Sequence, residues 1–477
     1  MGSEWIDAKL GDYIDSCLGK MLDKNKNKGE LYPYLGNSNV RWGAFDLDEL
    51  AQMKFEDHEH VRYGIKSGDL VVCEGGEPGR CAIWEDDLPN MKIQKALHRV
   101  RTLDGLDSEF LYYWFLFAGK NKLLDAYFTG TTIKHLTGKA LKEIPIKIPP
   151  LKHQKQVAVL LRGFDKKIKI NRQINQTLEQ MAHTLFKSWF VDFDPVIDNA
   201  LDAMALGKKV DIPEVFETRV ERRKAVRENA DFKPLPDDVR QLFPSEFEES
   251  ELGWVPKGWS FTKFGDLLDK TIGGDWGKDV PDEKHTEQVK IIRGTDIPDL
   301  NAGGISSAPT RWVESKKLKT RKLEHADIVI EVSGGSPKQP TGRSLLITND
   351  VLLRLGGVVE PASFCRRFKP VNEKVGLLAS EHLKFIYAAG KMWEYQNQST
   401  GIANFQTKFF LEAEYVMVPN AEVLEHYFSF VMSWIEKRQS STSIGLEKLR
   451  DTLLPKLISG ELRLDSPEVE QAKALVE

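Results

Sequence analysis

Two stretches of this chain carry apolar residues at helical spacing over an unusual length. In 149–190, Val157, Leu161, Phe164, Ile168, Ile174, Leu178, Met181, Leu185 and Trp189 recur mostly at steps of three or four. That spacing lays one apolar stripe along a helix. Asn171 and Asn175 interrupt the stripe, which predicts either a polar register point at a helix seam or a local break. The stretch 419–464 repeats the pattern with Leu424, Tyr427, Phe428, Val431, Trp434 and Ile435. It is interrupted by Ser-Ser-Thr-Ser at 440–443 and resumes with Leu446, Leu449, Leu453 and Leu454. About 40 residues at ~1.5 Å rise make a rod of roughly 60 Å. Two helices with one apolar face each pack most simply on each other, and a helical hairpin serving only dimerisation is the alternative.

The segment before each long helix reads differently. LVVCEGG and IVIEVSGG are apolar strand-like runs ending in Gly-Gly turns, while IPIKIPP and YVMVP read as short strands stopped by proline. SEFLYYWFLFAG and SEHLKFIYAAG have helical spacing. The two segments also match each other in order. Trp5 and Gly11-Asp12 match Trp259 and Gly265-Asp266, and Asn37-Ser38-Asn39-Val40 parallels Gly294-Thr295-Asp296-Ile297. Gly68 to Val72 parallels Ala326 to Ile330, Gly79-Arg80 matches Gly342-Arg343, and His98 to Arg101 lies against Arg366 to Lys369. Thr129-Gly130 matches Thr400-Gly401, and Pro149 matches Pro419. The offset drifts from 254 to 271, as changes in loop length produce. The chain thus reads as module, long helix, module, long helix.

Between the halves, DNALDAMALGKK and VERRKAVRENA are short and helix-like, and FKPLPDDVRQLFPSEFEESELGWVP is predicted irregular from its proline and acid. A length of 477 residues calls for two or three domains. The 41% hydrophobic and 29% charged content is that of an ordinary globular protein. No apolar run approaches the ~20 residues that span a bilayer, and MGSEWIDAKLGDY lacks the pattern of a secretory signal. Cys17, Cys73, Cys81 and Cys365 form no CxxC pair, so reduced thiols in a cytoplasmic protein are expected. A net charge of −4 argues mildly against nucleic acid, but binding depends on local patches. Lys316, Lys317, Lys319, Arg321 and Lys322 form one basic cluster, and Arg366, Arg367 and Lys369 another.

Familiar catalytic motifs are missing. There is no GxxxxGK[ST], and Gly277-Lys278 and Gly138-Lys139 lack its upstream glycine. Neither a Gly-rich cofactor loop opening a βαβ unit nor an NPPY- or DPPY-like tetrapeptide occurs, so the chain does not read as an amino-methyltransferase by itself. Asp282-Glu283-Lys284 reads as a solvated turn, and His58-Glu59-His60 lacks ligand partners at metal spacing. No catalytic residue and no metal ligand is assigned.

The run PPLKHQKQVAVLLRGFDKKIKINRQINQTLEQMAHTLFKSWFVDFDP (149–195) resembles the central conserved region of type I restriction-modification specificity subunits. LRDTLLPKLISGELRL (449–464) resembles the end of their second conserved region, and ESELGWVPKGW (249–259) the lead-in to their second target-recognition domain. The resemblance implies an α+β chain with two β-rich target-recognition domains arranged pseudo-symmetrically and separated by two long antiparallel helices, a coiled-coil-like spacer. The boundaries are then 1–148 for the first such domain, 149–190 for the first spacer helix and 191–255 for a linker with short helices. The second domain takes 256–418, the second spacer 419–464, and a C-terminal tail 465–477. Further implied are a bipartite double-stranded DNA site and docking of two modification (methyltransferase) subunits for adenine methylation. Restriction subunits would add ATP-driven translocation and cleavage. S-adenosylmethionine, ATP and Mg would sit on those partners, with no cofactor on this chain. The spacer and partner-helix positions are Leu161, Phe164, Ile168, Leu178, Met181, Leu185, Trp189, Leu424, Phe428, Val431, Trp434, Leu449 and Leu453.

Base readout needs side-chain donors and acceptors on loops held by a rigid scaffold, while phosphate contacts only position. In the first module the TGTTIKHLT loop offers Thr131, Thr132, Lys134 and His135, followed by Arg41, Trp42, Arg80, Lys92, Gln94 and Lys95. In the second, STGIANFQTK offers Asn404, Gln406 and Lys408, with Arg293, Lys338, Gln339 and Arg343 as companions. Two other readings stand beside this one: a divergent methyltransferase or nuclease acting alone, and a repeat-built scaffold that binds polypeptide.

Overall fold

The computed structural model describes residues 5–23, 27–334, 336, 338–399 and 402–476. Thr400, Gly401 and the second glycine of IVIEVSGG lie outside them. The chain forms two compact units, Met1–Ile168 with Leu446–Glu477, and Lys169–Gly445.

Three main strand groupings organise the first unit, beside a short Val40–Arg41 and Ala44–Phe45 pair. Ile6–Lys9 pairs antiparallel with Pro145–Ile148. A four-stranded antiparallel sheet has the order Ile14–Leu18, Leu97–Thr102, Leu70–Cys73, Cys81–Ile83. A smaller sheet runs Gln52–Phe55, Glu30–Leu35, Lys92–Ile93, with the last pair parallel. The second unit repeats all three. Ser260–Lys263 pairs with Tyr415–Val418. Leu268–Gly273, Cys365–Pro370, Ile328–Glu331 and Ser344–Leu346 form the four-stranded sheet. Thr310–Glu314, His285–Ile292 and Val359–Pro361 form the smaller one, again ending in a parallel pair. The repeat read from scattered residue matches is therefore a repeat of topology.

The central strands are continuously apolar because both faces of the sheet are covered. Along Leu70–Cys73, Leu70 and Val72 join the core under the helix Ser108–Lys120, while Val71 and Cys73 join a second core with Leu35, Trp84 and Ile93. Ile328 and Ile330 divide from Val329 in the same way. A period of two between two buried faces yields an unbroken apolar run.

Leu151–Phe186 is one uninterrupted helix, continued by a π-helical turn over Lys187–Val191. It shows no break at Asn171 or Asn175. In the first unit, buried Val157, Leu161, Phe164 and Ile168 pack in one core with Leu453, Leu454, Leu457 and Ile458 of the helix Thr442–Ser459, and Leu449 packs against that core. Asp165 takes an ion pair from Arg450 and a 2.7 Å bond from Tyr113 Oη. Buried Gln154 ties the helix start in place: it accepts from Asp107 N at 2.8 Å and donates to Gly105 O and Pro149 O at 2.8 and 2.7 Å.

In the second unit the buried face of this helix is Ala182, Phe186, Trp189 and Phe190. Ile174 and Met181, expected in the stripe, are 41% and 43% exposed. Leu178 is half-buried and Leu185 packs on the core edge. The reason is periodicity: seven-residue steps from Ile168 reach Asn175 and Ala182, whereas Ile174 and Met181 lie about 100° to one side. Helix Ala421–Gln439 runs antiparallel to this half, since Asn175 bonds Arg438 O at 3.1 Å while Trp189 meets Tyr427 at a ring separation of 5.9 Å. Leu424 and Val431 are buried in that core, with Phe428 and Trp434 at its margin. The serine-rich interruption separates this helix from Thr442–Ser459.

Two expectations about the connecting segments need correction. The 191–255 segment has the short helices expected of it, but its proline- and acid-rich part is not irregular throughout. Its helices Asp194–Ala205 and Glu217–Arg227 are cross-linked by Arg223 on Asp198, at 2.8 and 2.6 Å. Phe193, Phe216, Phe243 and Val255 enter the second unit's core, and Phe247–Ser250 and Gly253–Pro256 form a hairpin within the stretch predicted irregular. Aromatic burial and paired charges here outweigh the proline and acid of the local sequence. Within the supposed C-terminal tail, Pro467–Val476 is a helix whose Val469 and Ala472 are buried in the first unit.

Candidate nucleic-acid interface

In the first unit, four separate segments meet where strand Leu70–Cys73 ends. Glu74 N donates to Ala96 O at 2.9 Å, and Leu136 N donates to Glu74 O at 2.7 Å. These bonds join the loop after Cys73 to the Gln94–Ala96 turn and to the 129–136 loop. Gly75 lies beside the His135 ring, and Gly76, at φ +74°, lies so close to Asn37 that a Cβ would come within 2.7 Å of its Nδ2. Arg80 donates to Asn37 O at 3.0 Å and to Glu77 at 3.1 Å, and Trp42 Nε1 donates to Glu77 at 2.7 Å. The surface so built holds Arg41, Trp42, Arg80, Gln94, Lys95 and the exposed loop residues Thr131, Thr132 and Lys134 beside His135.

Arg41 is exposed but tied to Asp46 at 3.5 Å, and Lys134 lies 3.7 Å from Asp125. Lys92 does not fit its assigned role. It is buried over the Tyr32 ring at 5.2 Å, and burial lowers its pKa. Sequence reasoning missed Asn37, Glu74 and Glu77. Buried Asn37 Oδ1, Glu74 Oε2 and Arg80 Nε have no hydrogen-bond partner among the described residues. Unsatisfied polar atoms gathered at one surface are costly unless something completes them.

The second unit builds the same surface with the same backbone bonds. Cys73 N to Arg80 O (2.8 Å) has its counterpart in Glu331 N to Arg343 O (2.9 Å). Glu74 N to Ala96 O corresponds to Val332 N to Phe364 O, both 2.9 Å, and Leu136 N to Glu74 O corresponds to Phe405 N to Val332 O at 2.9 Å. Ser333-Gly334 pairs with Ala403-Asn404, and Ser333 Oγ donates to Asn404 Oδ1 at 2.9 Å. Asn404, Lys408, Lys338 and Gln339 are exposed. Gln339 Nε2 reaches Tyr387 Oη at 3.4 Å, and Gln406 Nε2 donates to Asn397 Oδ1 at 2.9 Å.

Arg343 and Arg293 are pinned rather than free. Arg343 grips buried Glu331 with bonds of 2.9 and 2.7 Å, and Arg293 grips Asp296 with two bonds of 2.9 Å. Each pairing raises the arginine's pKa. These two shape the surface, and forked carboxylate pairing leaves their guanidinium groups few donors for phosphate.

Of the basic cluster on helix Ser315–Arg321, Lys317 bonds Glu314 at 2.7 Å and Arg321 reaches Asp275 at 3.3 Å, whereas Lys316, Lys319 and Lys322 are exposed. Arg367 is buried on Asp327 at 2.8 Å, and Lys369 bonds Glu324 at 2.8 Å. Glu56, His58 and Glu59 gather their ligand atoms within 4.8 Å, but Lys20 already holds Glu59 in an ion pair, so three free ligands are not on offer. No helix among the described residues is long and apolar enough to cross a membrane.

Comparisons agree with this duplicated architecture. The type I restriction modification DNA specificity domain matches residues 2–180. The HindI specificity subunit of a type I restriction enzyme from Haemophilus influenzae is 25% identical, with 96% of this chain and all of the relative aligned. The MjaIX specificity subunit from Methanocaldococcus jannaschii is 26% identical over 83% of this chain and 78% of its own length. In structure, the chain is similar to a type I restriction-modification S subunit from M. genitalium, at a TM-score of 0.53 and 16% identity over 96% of both chains, which is a likeness of fold. From the domain match at its N-terminal end to the relatives aligned along most of its length, the chain is similar to type I restriction-modification specificity subunits.

Proposed function

We propose that each half of this chain reads one half of a bipartite DNA site. The observation that carries the reading is the recurrence, in both units, of one polar surface whose three segments are held by matching backbone bonds. A duplicated reader implies two recognition events, and base-edge contacts at each would add to a phosphate-derived affinity shared by all sequences. The long helix Leu151–Phe186, about 54 Å at 1.5 Å per residue, supports a defined gap between half-sites. Its outward residues, with those of the Ala421–Gln439 helix, offer the docking face for two methyltransferase subunits. Those partners bring S-adenosylmethionine and methylate adenine, and restriction subunits bring ATP, Mg and cleavage. This chain supplies specificity and no catalytic residue, and it acts in the prokaryotic cytoplasm.

Methylome sequencing of a host carrying the chain with its modification subunit tests the reading. The expected result is methylated adenine in a two-part motif with a gap of unspecified bases. Methyl transfer by the purified chain alone would defeat it in favour of an enzyme. Failure to bind any duplex when saturated with modification subunits would favour a polypeptide-binding scaffold.

A further inference from the structure

Phe364 sits at the tip of the turn between Val359–Pro361 and Cys365–Pro370, and it is 59% exposed. Exposed single apolar side chains are ordinary, so the case rests on where this one is held. Phe364 O accepts from Val332 N at 2.9 Å and Ser333 N at 3.3 Å. Cys365 N donates to Ala362 O at 2.8 Å, and Gly274 N to Cys365 O at 3.1 Å. The turn is therefore fixed on all sides, directly against the Ser333 and Asn404 pair of the candidate interface.

The first unit has the same turn with the same bonds. Glu74 N donates to Ala96 O at 2.9 Å, Leu97 N to Gln94 O at 3.0 Å, and Gly19 N to Leu97 O at 2.8 Å. Position by position, Gln94, Lys95 and Ala96 correspond to Ala362, Ser363 and Phe364. In this turn one module thus carries an amide and an ammonium followed by a methyl group, and the other a methyl and a hydroxyl group followed by an aromatic ring. A phenyl ring cannot bind phosphate. In the major groove the one apolar feature of a base edge is the C5-methyl of thymine, and hydroxyl and amide groups are the kind that suit the adjoining edges.

We propose that Phe364 is a specificity-determining residue of the second reader, its ring packing on a thymine methyl in the half-site read by residues 169–445. The assignment rests on the DNA-reading function proposed above. The test uses the full chain co-purified with its methylating partner, on duplexes taken from its own methylation motif. Each thymine is replaced in turn by deoxyuridine, which removes only the methyl. The unaltered protein is expected to lose about tenfold in affinity at one thymine of one half-site. Phe364→Ala should bind the parent duplex about tenfold more weakly and be indifferent to that replacement, with the other half-site unaffected. Its thermal midpoint should not move, since the ring is exposed. Unchanged affinity in Phe364→Ala, or an undiminished response to deoxyuridine, overturns the assignment alone. An unaltered protein with no sequence preference on duplex DNA overturns the function beneath it as well.

Discussion

Gly68 and Ala326 occupy the same tight turn in the two units, ahead of the central strand, with φ of +86° and +65°. Left-handed backbone costs an L-residue about 1 kcal/mol and glycine almost nothing. A Cβ on Gly68 would meet only Ser108 Oγ at 4.0 Å. Gly68→Ala is therefore expected to cost about 1 kcal/mol from conformation alone, read as a lowered denaturant midpoint; an unmoved midpoint contradicts this account. Glu360 presents a different strain. It is fully buried, neither carboxylate oxygen has a partner among the described residues, and burial pushes its pKa up to about 7. The native state then holds a proton that the unfolded state, at the ordinary 4.5, releases. Stability should be full below about pH 4.5 and fall as pH rises to about 7. Glu360→Gln should flatten that decline in a series of denaturation curves, and an unchanged pH profile would count against it. At the surface, Lys316 is exposed while its neighbour Lys317 is held by Glu314. Lys316→Ala should weaken binding to all duplexes alike and lower the salt slope by about one, with base preferences intact.

At the scale of elements, the long helix shows why a polar residue in an apolar stripe need not break it. Asn175 lies on the buried line of the helix, and its Nδ2 donates to Ala302 O and Arg438 O, both at 3.1 Å. Arg438 lies in the last turn of Ala421–Gln439, where carbonyls have no partner within the helix. Asn175 thus closes the ends of two other elements. Asn175→Ala should cost about 1–3 kcal/mol by leaving those carbonyls unmet. Hydrogen exchange is expected to quicken at the C-terminal turn of Ala421–Gln439, and protection equal to the unaltered protein would refute the capping role.

For the molecule as a whole, the proposed two-reader function makes recognition modular. Replacing residues 1–145 with the matching module of a relative should change one half of the methylated motif and leave the other, as read by methylome sequencing. A change in both halves would mean that the two readers are not independent. The sequence alone disclosed the two-module plan, the strands Leu70–Cys73 and Ile328–Glu331 and the long helices, because periodicity and apolar runs are local signals. It offered the 129–137 loop and Asn404 as surface candidates because polar side chains on a loop are also a local signal. Tertiary structure decided the rest. That Lys92 is buried, that Arg293 and Arg343 are held by carboxylates, and that the segments of Asn37, Glu74 and Phe364 come to the candidate interface depend on partners elsewhere along the chain. So does the gathering of residues 191–255 into a core through Phe193, Phe216 and Phe243. Local sequence states what a residue prefers; which charge it meets and which face it shows are settled only when distant segments pack.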